Sequence, residues 1–538
     1  MHFLPLAFSR RYITVSLAVA ATMVFLILTV LGYEVFLTGF VVAALLSLVG
    51  IHDMIQTRHS ILRSYPIAGH IRFLLEEIRP EIRQYFLESD IDGTPFDRNT
   101  RAIVYQRAKN QLDKRPLGTE LDVYAQSYEW ITHSLAPAKV AETPFRTTIG
   151  GPDCRHPYSA SLLNVSAMSF GALSANAIRA LNLGAFRGGF AHDTGEGSIS
   201  PYHLENGGDI IWEIGSGYFG CRHPDGGFSA ERFAEQAALP QVRMIEIKLS
   251  QGAKPGHGGV LPAAKVSAEI ARTRGVPMGV DCISPASHSA FSTPIGLLEF
   301  VARLRALSNG KPVGFKLCLG HPWEFLGICK AMLETGILPD FIVVDGKEGG
   351  TGAAPLEFVD HMGMPLREGL MFVHNALVGI NLRDRIRLGA SGKIITAFDM
   401  ARTLALGADW CNSARGFMFA VGCIQAQICH TDRCPTGVTT QDRIRQRALV
   451  VPDKAERVYN FHRATLTALA ELVAAAGLEH PEDFHPRHFL RRSAPDRVQT
   501  FEQIHRSLTP GELLSGTEDP LYRQFWPIAR ADTFSPAM

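Results

Sequence analysis

The sequence predicts an α/β protein in which a (β/α)8 TIM barrel follows an N-terminal transmembrane helical hairpin and is flanked by helical segments. Two long apolar runs open the chain, and beyond residue 143 short apolar runs alternate with helical stretches. Such alternation is typical of parallel strands joined by helices. At 538 residues the chain has room for one barrel with insertions. The predicted divisions are a membrane anchor (1–52), a helical collar (53–145), the barrel (146–450) and a helical cap and tail (451–538).

The predicted anchor consists of two uncharged runs, residues 12–33 and 35–51, separated by Glu34. A bilayer-spanning helix needs about 20 apolar residues, so the two runs predict a helical hairpin in a membrane. Basic residues flank the pair at both outer ends: Arg10, Arg11, Arg58 and Arg63. Since basic residues stay on the cytoplasmic side, we expect an inner-membrane location with everything after residue 52 facing the cytoplasm.

Two other interpretations of the anchor stay open. The motif SRRYIT, which begins at Ser9, resembles a twin-arginine export signal. Against export, the apolar run is longer than that of a signal peptide, and a second run follows at once. The other interpretation is a buried pair of helices in a soluble domain, which the lack of polar positions disfavours.

The collar is strongly charged and predicts short amphipathic helices. Its apolar residues recur at helical spacing: Phe73, Leu74, Ile78, Ile82 and Phe86. Pro80 should kink or divide this helix, and the turn at 90–98 should end it before the stretch RAIVYQRAK begins another. We interpret the segment as a packing collar without a catalytic role.

Eight apolar runs predict the barrel strands, and the number eight indicates a closed barrel. The runs are residues 162–168, 190–194, 244–249, 278–283, 312–317, 341–344, 386–389 and 409–412. Helices are predicted at residues 174–184, 262–274, 294–307, 322–335, 370–382 and 397–406. Glycine-rich polar stretches follow the strands, where such barrels carry active sites. After residue 451 the chain is again predicted to be helical, with an apolar stripe that Gly477 ends.

Charge and cysteine content exclude several classes of protein. The chain has 53 basic and 52 acidic side chains, so nothing predicts a nucleic-acid partner. Its nine cysteines are too sparse and uneven for a disulfide scaffold. Six of them stand alone and are expected to be reduced and mostly buried: Cys154, Cys221, Cys282, Cys318, Cys329 and Cys411.

The loops after the last two predicted strands carry residues suited to a phosphate group. They contain Ala390, Ser391, Gly392 and Lys393 after strand seven, and Ala414, Arg415 and Gly416 after strand eight. Glycines let backbone N–H groups approach a phosphate, and barrels bind phosphate at these two loops. Either loop alone could be an ordinary tight turn. Together with the SAMSFGA turn after strand one, they favour an extended planar cofactor such as flavin mononucleotide (FMN).

Three cysteines lie within a dozen residues: Cys423, Cys429 and Cys434, with Pro435 directly after the last. Zinc sites prefer two close pairs of ligands, whereas iron–sulfur clusters take thiolates from irregular runs that often end in Cys-Pro. The spacing therefore favours an iron–sulfur cluster over zinc. Three thiolates imply a three-iron cluster or a fourth ligand from elsewhere, and three free thiols remain the alternative.

Six motifs in one order make the chain resemble the FMN-binding synthase domain of glutamate synthase. They are MSFGALS at 168, GEG at 195, QGAKPGHGG at 251, DGKEGGTGAAP at 345, NLRDRIRL at 381 and GCIQAQICHTDRCPTGVTTQD at 422. The resemblance covers residues 163–442, and the hairpin and collar resemble membrane-anchored, stand-alone relatives of that enzyme. It implies an FMN-binding barrel with a 3Fe-4S cluster on the three cysteines. The implied activity is that of an EC 1.4-type oxidoreductase acting on CH–NH2 groups in glutamate biosynthesis, reducing 2-iminoglutarate or a similar imine, or running in reverse.

The resemblance also implies roles for individual residues. By this resemblance Met168 and Ser169 line the flavin, Lys316 approaches its ring, and Gly349 and Gly350 approach the cofactor. The flavin phosphate is held by Gly392, Arg415 and Gly416. The resemblance assigns the catalytic and substrate-binding positions to Gln251, Lys254, Arg274 and Glu196. Lys254 either neutralises a carboxylate or is a surface lysine in a glycine loop, and Glu196 either steers ammonia or caps a turn.

Departures from the family leave the substrate open. His257 replaces an acid, Val260 replaces a glutamine, and residues 389–392 replace a VDGG turn. The substrate is then 2-iminoglutarate or another imine, and the alternative is an electron-transfer or ligand-sensing subunit without glutamate-forming activity. Full glutamate synthase also has a glutamine amidotransferase domain and a β-helix, and neither is recognisable in this sequence, so we expect ammonia to come from outside. A GxGxxG turn for binding a dinucleotide is likewise not seen, so we expect electrons from a donor protein or a quinone. The expected partners are a small-molecule keto acid, imine or amino acid and a membrane, while assembly into a homo-oligomer stays open.

Overall fold

The computed structural model describes residues 10–537. Residues 1–9, which include Ser9 of the export-like motif and the start of the predicted anchor, and Met538 lie outside the described residues. The chain forms two compact units, Met1–Pro95 and Phe96–Met538.

The first unit is helical. Its elements are α1 (Ile13–Val30), a 3-10 turn (Glu34–Phe36), α2 (Leu37–Ile55), α3 (Ser60–Ser64), α4 (Gly69–Glu77), α5 (Arg79–Ile82) and a π-helical turn (Arg83–Leu87). Pro80 lies at the start of α5, which confirms that it divides the collar helix. By length and composition, two stretches are apolar enough to cross a membrane, Ile13–Val30 and Glu34–Ile55. Only 11% and 17% of their apolar windows are buried, which does not fit helices inside a soluble core.

Helices α1 and α2 pack through small and hydroxylated residues. A Cβ added at Gly39 would lie 3.2 Å from the Phe25 ring, so the missing side chain lets the helices approach. The hydroxyls of Thr22 and Ser47 lie 3.0 Å apart across the same interface. Close packing through small residues and shared hydroxyl contacts is how helices associate in an apolar medium.

The second unit begins with one helix and three strands. They are α6 (Arg98–Ala108), β1 (Glu129–Ile131), and the antiparallel hairpin of β2 (Arg146–Ile149) and β3 (Tyr158–Ser161). The hairpin leads directly into the barrel.

Eight parallel strands form a closed barrel, which confirms the predicted fold class. The first four are β4 (Leu163–Val165), β5 (His192–Asp193), β6 (Ile210–Ile214) and β7 (Val242–Lys248). An excursion with β8 (Val260–Leu261) and β9 (Cys282–Ile283) follows, and the barrel continues with β10 (Val313–Leu317), β11 (Phe341–Asp345), β12 (Arg387–Ser391) and β13 (Trp410–Ser413). The strands pair in chain order, and β13 closes the barrel on β4 with Cys411 opposite Leu163. The loops after β12 and β13 are therefore neighbours, as the phosphate prediction requires.

One predicted strand is wrong, and one barrel strand escaped the prediction. Residues 278–283 lie in the excursion between β7 and β10, where β9 forms a short hairpin with β8. Met278, Val280 and Ile283 are more than half exposed, so this run is not a core strand. The missing strand is β6, which carries a buried charged residue, Glu213, near its end.

Helices cover the barrel and continue after it. They are α7 (Ala175–Gly188), α8 (Pro201–Leu204), α9 (Ala230–Ala237), α10 (Ala268–Arg274), α11 (Pro294–Leu307), α12 (Pro322–Thr335), α13 (Leu356–His361), α14 (Leu366–Gly379), α15 (Ala397–Ala405), α16 (Arg415–Val421), α17 (Arg443–Gln446), α18 (Val451–Ala475), α19 (Phe501–Ile504), α20 (Glu512–Ser515) and α21 (Pro520–Phe525). Two late strands, β14 (Phe489–Ala494) and β15 (Arg497–Thr500), form a small sheet with β1.

Helix α18 lies against α7 on the barrel exterior. A Cβ added at Gly184 would lie 2.9 Å from the Ala455 carbonyl oxygen, so the two helices approach closely where this glycine lies. His462 stacks on Phe190 with ring centroids 3.9 Å apart. The first half of the C-terminal region thus contributes directly to the packing around the barrel.

Candidate active site

Four charged side chains meet at the carboxyl end of the barrel, and we call Glu196, Lys248, Lys254 and Arg274 the Glu196 cluster. Lys248, the last residue of β7, places its Nζ 3.1 Å from Glu196 Oε2. The Ser284 hydroxyl donates to the same oxygen at 3.4 Å. Burial raises the pKa of the Glu196 carboxyl, but the charges of Lys248, Arg274 and Lys254 bring it below its usual value. The carboxylate is therefore ionised among cations.

Lys254 is only 2% exposed, so the interpretation as a surface lysine is wrong. Its Nζ donates to the Gly258 carbonyl at 2.5 Å. The pKa of its ammonium group lies below the usual value. Burial lowers this pKa most, the charge of Glu196 raises it, and the charge of Lys248 lowers it. The Gln251 carbonyl accepts from the Lys254 backbone N–H at 3.2 Å, so this glutamine closes the turn that carries the lysine.

Arg274, at the end of α10, connects the excursion to the loop that follows β4, which we call the first barrel loop. Its Nη2 donates to Phe170 O at 3.0 Å and to Ser169 Oγ at 3.3 Å. A Cβ added at Gly195 would lie 2.7 Å from the Ser169 backbone nitrogen, so the GEG loop packs directly on that same loop. Met168 and Ser169 are half-buried at this junction. The structure thus brings the predicted residues of these three segments together.

A second charged group lies inside the barrel, and we call Asp193, Glu213, Glu246 and Lys316 the Lys316 cluster. Lys316 forms an ion pair with Glu213, and its Nζ lies 3.3 Å from Glu246 Oε1. Ligand oxygens of the three acids lie within 4.8 Å of one another, which is close enough for a metal ion. The Lys316 ammonium supplies the positive charge at this position.

Two acids of the Lys316 cluster bind their protons more tightly than free carboxyl groups do. Burial raises the pKa of Asp193 well above its usual value, and the neighbouring Glu246 and Glu213 raise it further. Burial also raises the pKa of Glu246, to about 7, against the opposing charge of Lys316. Burial alone would lower the pKa of Lys316, but the surrounding carboxylates hold it well above the usual value. Lys316 is therefore a charged group fixed within the strands.

The loops after β11, β12 and β13 form the predicted phosphate region. Arg415 donates to the Gly350 carbonyl, and a Cβ added at Gly350 would lie 2.9 Å from Arg415 Nη2. Lys393 has a positive φ of 50° and places its Nζ 5.4 Å from the Phe96 ring centroid. Burial lowers the pKa of the Lys393 ammonium, and the charge of Arg415 lowers it further. Two cations therefore lie close together, and an anion between them would relieve their repulsion.

The glycines of this region are closely surrounded. A Cβ added at Gly349 would lie 3.0 Å from the Ala253 nitrogen, and one at Gly392 would lie 3.0 Å from Leu366 Cβ. At Gly416 the Ser413 hydroxyl would be 2.6 Å away. The absence of side chains therefore lets these loops approach their neighbours closely.

Cys423, Cys429 and Cys434 line one small cavity. Within the described residues their three sulfurs do not all lie within 4.8 Å of one another, so at least one pair is farther apart than that. The backbone N–H of Gln425 donates to Cys423 Sγ at 3.5 Å, and the Thr436 hydroxyl lies 3.5 Å from Cys434 Sγ. Across residues 10–537 all nine cysteines are free thiols.

Residues 141–479 match the family model described as a conserved region in glutamate synthase. A glutamate synthase large subunit-like protein of Bacillus subtilis, YerD, is 38% identical over 495 residues, which is 84% of this chain and 94% of that protein. The chain belongs to the glutamate synthase family. It carries an FMN-binding oxidoreductase domain of the glutamate synthase type, which confirms the resemblance found in the sequence.

Two further comparisons accompany this assignment. A protein of Methanocaldococcus jannaschii, named archaeal glutamate synthase (NADPH), is 33% identical over 356 residues, which is 66% of this chain and 66% of that protein. A solved structure of a flavocytochrome b2 mutant with pyruvate bound resembles the chain with a TM-score of 0.43 and 13% identity. It covers 78% of this chain and 85% of the other, a likeness too low to inform function.

The two loop residues that depart from the glutamate synthase family lie at the edge of the site. His257 is exposed, and its ring contacts Phe358 with centroids 5.3 Å apart. Val260 pairs with Ile283 in the β8–β9 hairpin. Neither residue displaces a member of the Glu196 cluster.

Two lysines of this glutamate synthase-type site were not predicted. Lys248 is the last residue of a barrel strand, and a charge at that position is a signal that could have been used. Lys265 donates from its buried Nζ to the carbonyls of Cys429, at 2.9 Å, and Thr439, at 2.8 Å. Nothing in the local sequence marks Lys265, because the cysteine segment that it contacts lies far along the chain.

Proposed function

We propose that this protein is a membrane-anchored FMN and iron–sulfur oxidoreductase that reduces 2-iminoglutarate, or a similar imine, to an amino acid, or catalyses the reverse reaction. The observation that carries the proposal is the Glu196 cluster at the barrel mouth. It combines three cations with one ionised carboxylate beside Ser169, which belongs to the loop assigned to the flavin. A mouth of this charge suits a substrate with two carboxylates and one cationic nitrogen.

The flavin would lie against Met168 and Ser169, with Gly349 and Gly350 at a neighbouring loop. Its phosphate would bind Gly392, Arg415 and Gly416, the three residues that the resemblance assigns to it. Lys393 would add a second positive charge beside Arg415. The fit rests on the paired cations and on the position of these loops after neighbouring barrel strands. Bound FMN would supply hydride transfer to an imine carbon. Lys316 would act from inside the barrel as a fixed positive charge.

The residues of the Glu196 cluster would divide the work of binding. Lys254 and Arg274 would neutralise the substrate carboxylates, while the Gln251 turn would hold Lys254 in place. Glu196 would attract ammonium, or an iminium nitrogen, because its pKa is held low. We favour this role over turn capping, because the Glu196 carboxylate contacts the side chains of Lys248 and Ser284.

Cys423, Cys429 and Cys434 would hold a 3Fe-4S cluster, to which their common cavity and their irregular spacing in the sequence are suited. Electrons would reach the protein from a donor protein or a quinone. Residues 1–52 would anchor the enzyme in the cytoplasmic membrane, with residues 53–145 as a collar, 146–450 as the barrel and 451–538 as a cap.

Anaerobic reduction of the purified protein, followed by addition of keto acids with ammonia, tests the proposal. We expect 2-oxoglutarate plus ammonia to reoxidise the flavin, and Lys254→Gln to slow this by roughly tenfold or more because a buried charge partner is lost. Lys139→Gln removes an exposed lysine and serves as the matched control. Protein without a flavin spectrum would contradict the cofactor assignment. A bound flavin that responds to no keto acid or amino acid would instead support an electron-transfer or ligand-sensing subunit.

A further inference from the structure

A cavity of about 390 Å³ lies between the loops after β5 and β6 and helices α9 and α10. The charged residues that line it are Arg222, Arg232, Arg272, Arg274 and Glu269, and we call it the arginine cavity. Four guanidinium groups thus share the lining with one carboxylate. Only Arg274 also belongs to the Glu196 cluster, so the arginine cavity is additional to the proposed substrate site.

The fold holds these like charges together. The guanidinium carbons of Arg222 and Arg274 lie 5.6 Å and 5.3 Å from the ring centroid of one residue, Phe219. A Cβ added at Gly275 would lie 3.8 Å from Arg222 Cγ, so the stem of Arg222 runs beside the end of α10. Arg232 donates from Nη1 to the Arg222 carbonyl at 2.7 Å, which fixes a third guanidinium nearby. Positive charges placed so closely repel one another unless an anion lies among them.

Two arginines of the cavity also have hydrogen-bond donors without a partner. The buried Nε groups of Arg222 and Arg274 have no hydrogen-bond partner among the described residues, and Arg274 is 4% exposed. Glu269, the carboxylate of the lining, accepts a hydrogen bond from the Tyr202 hydroxyl. A buried donor without a partner is unfavourable, and the charge of an oxyanion in the cavity would offset that cost.

We propose that the arginine cavity binds a small dianion through its carboxylate or phosphate oxygens. Guanidinium groups pair with both kinds of oxyanion through parallel hydrogen bonds. The volume lies within the range of small-molecule sites. Arg274 forms one wall of the cavity and also donates to Ser169 and Phe170, so the bound anion contacts the residue that supports the first barrel loop.

Calorimetric titration of the full-length, flavin-loaded protein at low ionic strength tests the site, with inorganic phosphate and malonate as separate probes. We expect saturable binding of at least one probe, which the double variant Arg232→Gln/Arg272→Gln should weaken at least tenfold. Both side chains are exposed at the cavity rim, so the fold should survive, which an unchanged thermal midpoint would confirm. Arg303→Gln removes an exposed arginine outside the lining and should bind as the native protein does.

Lys254→Gln separates the arginine cavity from the barrel mouth. We expect it to keep the binding that the double variant loses. Binding of phosphate alone would indicate a phosphorylated ligand, and binding of malonate alone would indicate a dicarboxylate. The proposal is overturned if neither probe binds, if the double variant binds as tightly as the native protein, or if Lys254→Gln weakens binding as much as the double variant does.

Discussion

Replacing Glu246 by glutamine should make the barrel more stable at alkaline pH while leaving it unchanged at acid pH. Glu246 is fully buried on β7, with Lys316 Nζ 3.3 Å from its Oε1. Burial raises its pKa from a usual value of 4.5 to about 7. A carboxyl group of this kind is neutral at pH 5, where glutamine is a close substitute in shape and polarity. At pH 8 it carries a charge that the interior disfavours.

The magnitude follows from the shift in pKa. The folded protein binds the proton more tightly than the unfolded chain, so stability falls as pH rises above 4.5 and levels off above about 7. At 1.36 kcal/mol per pKa unit, the loss is about 3 kcal/mol. An unfolding entropy of about 2.1 cal/mol/K per residue gives about 0.9 kcal/mol/K for a unit of roughly 440 residues, so this loss lowers the melting temperature by about 3 °C.

Scanning calorimetry at pH 5 and pH 8 measures the effect. The native protein and Glu246→Gln should melt together at pH 5, and the variant should melt about 3 °C higher at pH 8. Glu357→Gln, which removes an exposed acid on α13, should follow the native protein at both values. If the native protein is instead the more stable at pH 8, Glu246 is ionised throughout and its pairing with Lys316 outweighs burial, which would refute the reasoning.

Three other substitutions test the loops of the site. Gly252→Ala would push a methyl group into the Gly346 carbonyl oxygen, so we expect about 1–3 kcal/mol of destabilisation in thermal unfolding, whereas Gly320→Ala, with open space around it, should have little effect. Arg415→Gln should reduce flavin affinity by roughly tenfold to a hundredfold, measured as flavin retained per protein after dialysis; full retention would remove Arg415 from the phosphate site. Lys265→Met should lower the reduction potential of the proposed iron–sulfur cluster, followed by electron paramagnetic resonance, because a buried positive charge favours the reduced form. An unchanged potential would leave Lys265 with a purely structural role.

Local signals explain why much of the barrel could be predicted. The predicted helices 294–307 and 322–335 coincide with α11 and α12, because each begins with proline in its first turn and ends at a polar or glycine residue. The two loops predicted to bind phosphate do follow the last two barrel strands, and this placement does not depend on the number of earlier strands. Strand β6 was missed because Glu213 interrupts its apolar run, and its buried charge is balanced by Lys316, 103 residues away in sequence.

Pairings between distant charges could not be predicted from the sequence. The contact of Lys248 with Glu196 depends on closure of the barrel, and that of Lys265 with the cysteine segment depends on how residues after β13 return across the excursion. Single positions in a glycine-rich loop give no indication of burial, so the assignment of Lys254 to the substrate rested on the family resemblance alone. The departure at His257 was visible in sequence, but its contact with the Gly258 carbonyl, which also accepts from Lys254, was not.

Acidic residues predominate inside the barrel and basic residues predominate at its carboxyl end, and this distribution bears on the proposed substrate. The Lys316 cluster, inside the strands, has more acids than bases, and burial raises the pKa of Asp193 and Glu246, whereas the Glu196 cluster, at the mouth, has more bases than acids. A mouth of that kind lowers the cost of bringing carboxylates out of water. His257 replaces a family acid; its ring is exposed against Phe358, and its Nδ1 lies 2.8 Å from the Gly258 carbonyl oxygen, which also accepts from Lys254 Nζ. The four residues of the Glu196 cluster remain together despite this replacement, and we infer that the altered loop changes access to the proposed site more than its charge.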